Sequence, residues 1–105
     1  MTYAEFWPIY LRAHGKPLTR LLHYIGTSLA LLALALAAIY NAAFIITAPI
    51  IGYAFAWAGH FGVEGNKPAT FGHPLWSLYS DLRMLGLFLT CRLRPHLEQA
   101  GIPLR

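Results

Sequence analysis

One long interval of the chain carries no ionised acid or base. Residues 21–63 contain no Lys, Arg, Asp or Glu, and residues 29–38 are apolar on every face of a helix. The helix of a soluble protein normally keeps a polar side. A turn at Tyr40-Asn41 divides the interval into two segments, which run from about Leu18 to Ile39 and from about Ala42 to Phe61. At 1.5 Å per residue the rise is roughly 27 Å from His23 to Asn41 and roughly 28 Å from Asn41 to His60, close to the 30 Å hydrocarbon core of a bilayer. The pattern predicts a membrane-spanning helical hairpin.

The segment before the hairpin, residues 1–17, predicts an interfacial helix followed by a short loop. Thr2 and Glu5 have the spacing of a capping box, and aromatic residues follow them over residues 2–13. Pro8 removes a backbone donor, so the helix is expected to start or to bend there.

The segment after the hairpin predicts a loop, a third helix and a tail. Residues 62–74 contain glycine and proline and predict the loop. Leucines at helical spacing predict an amphipathic helix over residues 75–93, and Asp81 and Arg83 indicate that it lies along the interface rather than crossing the bilayer. The tail, residues 94–105, is expected to be polar and loosely held. The fold class expected is therefore all-α, with the 105 residues forming a single integral membrane domain.

Composition and charge agree with a membrane location. Hydrophobic residues make up 57% of the chain and charged residues 11%, whereas about a quarter of a soluble domain is charged. The formal net charge is +4, but the basic residues are scattered, which disfavours nucleic acid and favours anionic lipid headgroups. Basic residues flank both spans and are absent from the turn between them, which predicts that both termini are cytoplasmic. The expected compartment is the inner membrane of a bacterium or the endoplasmic reticulum of a eukaryote.

Two further expectations concern bonds and partners. Cys91 is the only cysteine, so an intrachain disulfide and a zinc site built on several thiolates are excluded. Two short spans bury little surface by themselves, so we expect the chain to form a homo-oligomer.

The histidines on either side of the turn are the candidate chemistry. His23 lies 18 residues before Asn41 and His60 lies 19 residues after it. Antiparallel helices of equal rise therefore bring the two imidazoles to the same end of the hairpin. Three further groups flank this end and are expected on the same membrane face: His14, Glu64 and His73.

Imidazoles and a carboxylate at one membrane face suit divalent iron, zinc or manganese. Two or three histidines with one carboxylate and open positions form the arrangement of non-haem iron oxygenases. Two alternatives stay open at this point. His23 and His60 can clamp a haem between the helices, or the histidines can be interfacial hydrogen-bonding groups in a protein with a structural or assembly role.

Several other polar and aromatic residues have plain structural interpretations. Glu64 with Lys67 and Asp81 with Arg83 are expected to form surface ion pairs, and His96 is expected to be solvated. The tryptophans are expected to anchor the chain at the membrane interface: Trp7, Trp57 and Trp76.

Two ordered blocks of sequence resemble a known family. Residues 10–17 and 20–27 resemble the first block of the 2-hydroxy fatty acid dioxygenase family of small membrane proteins. The second block is carried by residues 52–61, Glu64, residues 68–71, residues 74–78 and Asp81. The resemblance covers roughly residues 6–89. It implies an iron(II)-dependent membrane oxygenase that uses dioxygen to shorten 2-hydroxy fatty acids by one carbon.

The resemblance also implies roles for individual residues. His14, His23 and His60 match histidines of the family pattern and would bind iron(II), and Glu64 matches its acidic position. Glu64 would be a fourth ligand or an outer hydrogen-bond acceptor that fixes an imidazole tautomer. Arg20 or Lys67 would offset the charge of the substrate carboxylate. His73 falls where the family pattern has no fixed histidine, so it is an additional candidate ligand that the resemblance does not support.

Overall fold

The two apolar segments form the predicted helical hairpin. In the computed structural model, which describes residues 1–68 and 72–103, helix α2 spans Pro17–Ile39. Helix α3 spans Phe44–Trp57 and continues as a π-helical segment, Ala58–Glu64. Both are long and apolar enough to cross a membrane, and only 22% and 17% of their most apolar windows are buried within the chain. Apolar side chains on the outside of the hairpin are typical of helices that face lipid.

Small residues let the two spans approach closely near the histidines. A Cβ atom added to Gly26 would lie 2.6 Å from Cβ of Phe55, and one added to Gly59 would lie 3.1 Å from Cγ2 of Thr19. The first distance is shorter than real Cβ contacts allow, so glycine is required at residue 26. Close backbone approach at small residues is the usual way in which membrane helices pack.

The N-terminal helix, α1, spans Tyr3–Arg12 and has the predicted capping box. The Thr2 side chain accepts from the backbone N–H of Glu5, and the Glu5 side chain accepts from that of Thr2. Of the two alternatives expected at Pro8, a helix that starts there is excluded, because Pro8 lies inside the helix. Proline costs this helix one backbone hydrogen bond, and burial of Phe6 beside it favours the helical course.

Helix α4 spans Pro74–Leu89 and packs with an unexpected face. The predicted leucine stripe points mostly outward: Leu75, Leu78 and Leu89 are between 60% and 79% exposed. The inward face carries two serines, one methionine and one leucine of the predicted stripe, namely Ser77, Ser80, Met84 and Leu85. This orientation suits a helix with lipid on one side and protein on the other.

The tail folds back onto α1, so the prediction of a loosely held segment is wrong. Residues Leu93–Gln99 form helix α5, and Leu93, Leu97, Ala100 and Ile102 are buried against the aromatic side chains of α1. The apolar residues at positions 93, 97 and 100 share one helical face, which explains why the segment packs.

Three expectations for exposed side chains are also wrong. Trp7 is buried rather than placed at the interface, and its Nε1–H donates to Nδ1 of His96 at 3.0 Å. His96 is therefore not simply solvated. The Arg83 guanidinium lies 4.2 Å from the centre of a Trp7 ring, so it makes a cation–π contact instead of the predicted ion pair with Asp81.

Candidate metal centre

Three histidines from three parts of the chain meet at the end of the hairpin that lies opposite its turn. His14 lies in the turn after α1, His23 in α2 and His60 in the π-helical segment, and all three are buried. Nε2 of His23 lies 2.9 Å from Nε2 of His14 and 3.2 Å from Nε2 of His60. One ring nitrogen from each histidine falls within 4.8 Å of the other two. The prediction that His23 and His60 share one end of the hairpin is confirmed.

The local fold explains how each ring arrives there. The antiparallel spans of equal rise bring His23 opposite His60. The π-helical segment changes the direction of side chains over its length, and such segments are frequent at functional sites. It ends at Gly65, whose φ of +74° is a left-handed conformation that favours glycine.

Outer hydrogen bonds define the tautomers of two of the rings. Nδ1 of His14 lies 2.6 Å from the carbonyl oxygen of Tyr10 and must donate to it. Nδ1 of His60 lies 2.8 Å from Oδ1 of Asn66, whose amide nitrogen donates to the carbonyl oxygen of Ala13. That second bond fixes the orientation of the amide, so His60 also donates through Nδ1. Both Nε2 atoms therefore carry lone pairs.

The third ring faces a carboxylate. Nδ1 of His23 lies 3.5 Å from Oδ1 of Asp81, and this negative charge favours a proton on Nδ1. The Tyr10 hydroxyl donates to the same carboxylate oxygen. Burial, followed by the charge of Asp81, raises the pKa of Tyr10 well above its usual value, so the phenol stays protonated and keeps donating.

With a proton on Nδ1 of each ring, three Nε2 lone pairs converge on one buried space. Burial and then the neighbouring His23 and His60 lower the pKa of His14 well below its usual value, which keeps this ring neutral at physiological pH. A shared cation removes the repulsion between the lone pairs. Two ligand nitrogens about 2.1 Å from an ion and at right angles are roughly 3.0 Å apart, close to the 2.9 and 3.2 Å that separate Nε2 of His23 from those of His14 and His60. The residues present therefore fit a divalent transition metal.

Two other candidate ligands lie outside the three-histidine group. Oε1 of Glu64 accepts from the backbone N–H of Lys16, and the outer position on His60 is filled by Asn66. The role as tautomer-fixing acceptor thus belongs to Asn66. His73 stacks on Trp76, with ring centres 5.0 Å apart, and meets the edge of Phe6.

The two cationic candidates lie in different surroundings. Arg20 is buried, and its Nη1 donates to the carbonyl oxygens of His14 and Gly15. It holds the turn that carries His14 and borders a separate cavity of about 510 Å³. Lys67 is exposed just beyond the π-helical segment, and its role towards a substrate stays a prediction.

A haem between His23 and His60 does not fit this geometry. Two imidazoles on opposite faces of one haem iron would place their nitrogens about 4 Å apart, since each bond is roughly 2.0–2.1 Å long. The observed distance is 3.2 Å, and His14 approaches the same point at 2.9 Å. The third ring leaves no plane for a porphyrin.

Sequence reasoning missed the outer residues of this site. For Asp81 the sequence indicates a surface ion pair, and the available signal of another role is its place in the second block of the family resemblance. Tyr10 was interpreted as interfacial bulk. Asn66 follows the helix-ending Gly65, and a glycine-asparagine pair there reads as an ordinary helix terminus.

One of three comparisons with known proteins finds a match, and it identifies a family. A family model described as 2-hydroxy-palmitic acid dioxygenase Mpo1-like matches residues 1–93. No curated protein and no solved structure gave a significant match.

Of the second sequence block, Ala69, Thr70 and Phe71 lie outside the described residues, as do the last two residues of the tail.

Proposed function

Because the chain belongs to the Mpo1-like family of 2-hydroxy-palmitic acid dioxygenases, we propose that it is an iron(II)-dependent membrane dioxygenase of 2-hydroxy fatty acids. His14, His23 and His60 would hold the metal. The observation that carries the proposal is the convergence of their three Nε2 atoms, combined with outer partners on their other ring nitrogens. Histidine ligands of metals almost always donate their second N–H to such partners.

Iron(II) in such a site supplies the activation of dioxygen. The chain's own residues orient the ligands: the Tyr10 carbonyl, Asn66 and Asp81 each face one Nδ1 atom. Three ligands leave coordination positions open for oxygen donors, and a 2-hydroxy acid offers two on neighbouring carbons. Asp81 adds one negative charge beside three neutral imidazoles, so with a divalent ion bound the site would still attract a carboxylate.

A membrane location follows from the same proposal. The two spans are apolar on their outer faces, and the histidines lie at one end of the pair rather than at its turn. A fatty acid in the bilayer would thus present its polar head at the level of the metal and keep its chain among the apolar helices. We expect both termini on the cytoplasmic side.

The test is metal content and turnover of the purified protein in lipid. We expect iron equimolar with the chain after anaerobic loading, and dioxygen-dependent shortening of 2-hydroxypalmitate by one carbon. Palmitate, which lacks the hydroxyl group, should be left intact. His23→Gln should lose both iron and turnover, whereas the matched control His73→Gln should keep both.

Two outcomes would contradict the proposal. Wild-type protein that holds no iron and leaves 2-hydroxypalmitate intact would reject the proposed dioxygenase activity. Iron retained equally by the wild type and by a folded His23→Gln variant would reject the three histidines as the metal site. Function unchanged in cells by replacement of His23 would instead support a structural or assembly role.

A further inference from the structure

An apolar groove begins at the histidine cluster and runs along the hairpin. It has a volume of about 380 Å³ and is lined by α2, α3 and the start of α4. His23 and Asp81 lie at one end, and Leu34 and Ala48 lie at the other. The imidazole and the carboxylate of the groove are thus both at the metal end, and the remaining length is largely apolar.

We propose that this groove holds the hydrocarbon chain of the substrate and sets its length. The inference rests on the proposed function, because it places the polar head of a 2-hydroxy acid beside His23. In the alternative arrangement, the acyl chain of the substrate would stay in the surrounding bilayer instead of in the groove. The groove is continuous with the candidate metal centre through His23, which belongs to both. An amphiphile with its polar group at the ligands has this groove as its apolar extension.

The dimensions agree with a long acyl chain. His23 and Leu34 are 11 positions apart in α2, which corresponds to roughly 16 Å at 1.5 Å per residue. An extended hydrocarbon advances about 1.3 Å per carbon, given C–C bonds of about 1.5 Å. The groove therefore accommodates about 12 carbons beyond the hydroxyl-bearing carbon. This length covers most of the chain of 2-hydroxypalmitic acid.

Two small residues, Ala30 and Gly52, line the groove near its middle. Ala30 and Gly52 face each other there, and a Cβ added to Gly52 would lie 3.8 Å from Cβ of Ala30. Gly52 has no side chain and that of Ala30 is one methyl group, so neither residue extends far into the groove. A large side chain at either position would close the groove roughly 10 Å from His23, which is the length of about eight carbons.

Selection in this groove must come from fit. Lipid tails are as apolar as leucine side chains, so moving an acyl chain from the bilayer into the groove gains little hydrophobic free energy. A filled groove excludes long chains by steric overlap, which typically costs enough for at least about a tenfold change in affinity. Short acyl chains that end before they reach Ala30 and Gly52 should be unaffected.

The kinetic test compares Ala30→Phe with a matched control on another face of the same helix. Ala35 is exposed and does not line the groove, so Ala35→Phe adds the same ring to lipid. We expect Ala30→Phe to lower kcat/KM for 2-hydroxypalmitate at least about tenfold and to change 2-hydroxyoctanoate less than about twofold. Ala35→Phe should keep the wild-type profile for both acids. An unchanged ratio in Ala30→Phe would overturn the groove while leaving the enzyme in place.

A second readout does not require turnover. A 2-hydroxy acid with a diazirine at its far end is photolysed with the protein in lipid vesicles, and the labelled residues are mapped by mass spectrometry. We expect labelling near Leu34 and Ala48 that 2-hydroxypalmitate suppresses and that Ala30→Phe abolishes. If Ala30→Phe fails to fold, Gly52→Leu closes the same point from α3.

The remaining outcomes separate the two proposals. Groove labelling without turnover would reject the enzyme and keep the acyl site. Labelling spread over all lipid-facing residues would reject the groove, as would equal labelling by a diazirine phosphatidylcholine. Cross-links between two chains at these residues would assign the groove to a second copy and overturn the acyl assignment.

Discussion

Replacement of Asn66 tests whether an outer hydrogen bond controls the metal centre. Asn66 makes two contacts: Oδ1 accepts from Nδ1 of His60 at 2.8 Å, and the amide nitrogen donates to the Ala13 carbonyl at 3.0 Å. Asn66→Ala removes both. Asn66→Asp keeps an acceptor for His60 and removes only the donor to Ala13.

The two variants should therefore differ in metal affinity. Loss of an outer partner typically weakens metal binding roughly 10–100-fold, so Asn66→Ala should bind iron(II) that much more weakly than the wild type. Asn66→Asp should bind iron(II) within about threefold of the wild type, because its carboxylate also holds the proton on Nδ1. Competition with a chromogenic chelator under anaerobic conditions measures each affinity.

Stability supplies the internal control. Both variants lose the part-buried bond to Ala13, and a typical hydrogen bond contributes about 0.5–1.5 kcal/mol to the free energy of unfolding. Both should therefore melt at a lower temperature than the wild type in detergent without metal. The reasoning is refuted if Asn66→Ala keeps wild-type iron affinity, or if Asn66→Asp weakens iron binding by the same factor as Asn66→Ala.

Two further predictions concern packing and pH. Gly26→Ala should destabilise the hairpin by about 1–3 kcal/mol through overpacking, because its Cβ would lie 2.6 Å from that of the facing phenylalanine. Gly52→Ala, which meets a Cβ at 3.8 Å, should be neutral or stabilising in the same thermal unfolding assay; equal loss in both would contradict the packing argument. Burial and then the charge of Arg83 lower the pKa of His96, which accepts from Trp7. A lowered pKa gives stability that is present above the unfolded value of about 6.5 and is lost as pH falls through the folded pKa. Melting temperatures from pH 8 to 5 should therefore fall more steeply for the wild type than for His96→Gln. Parallel curves for the two proteins would contradict this role of His96 in the pH dependence of stability.

The sequence carried enough information to place the core of the site. Hydropathy alone set two helices of matched length, and equal rise on either side of Asn41 required His23 and His60 to meet. His14 follows from chain connectivity, since a short loop joins it to α2. These inferences depend only on hydropathy and helix geometry, and each residue of the two segments contributes to both.

Other parts of the site depended on contacts between distant segments. The sequence predicted that Glu64 would lie near the ligands, yet Asn66 occupies the outer position on His60, because the end of the π-helical segment determines which side chain turns inward. The role of Asp81 was hidden for a related reason. Its partners are Tyr10 and His23, 71 and 58 positions away, and no local pattern connects them.

Hydropathy and helical rise, both read from the sequence, set the lengths of the two apolar helices, their antiparallel order and the end of the hairpin at which the imidazoles meet. Contacts between distant segments set which face of α4 turns inward, how α5 packs, and which acceptor oxygen faces Nδ1 of each histidine. The physical reason is range: helix formation and burial in lipid are summed over neighbouring residues, whereas a hydrogen bond is settled by the position of single atoms to within a few tenths of an ångström.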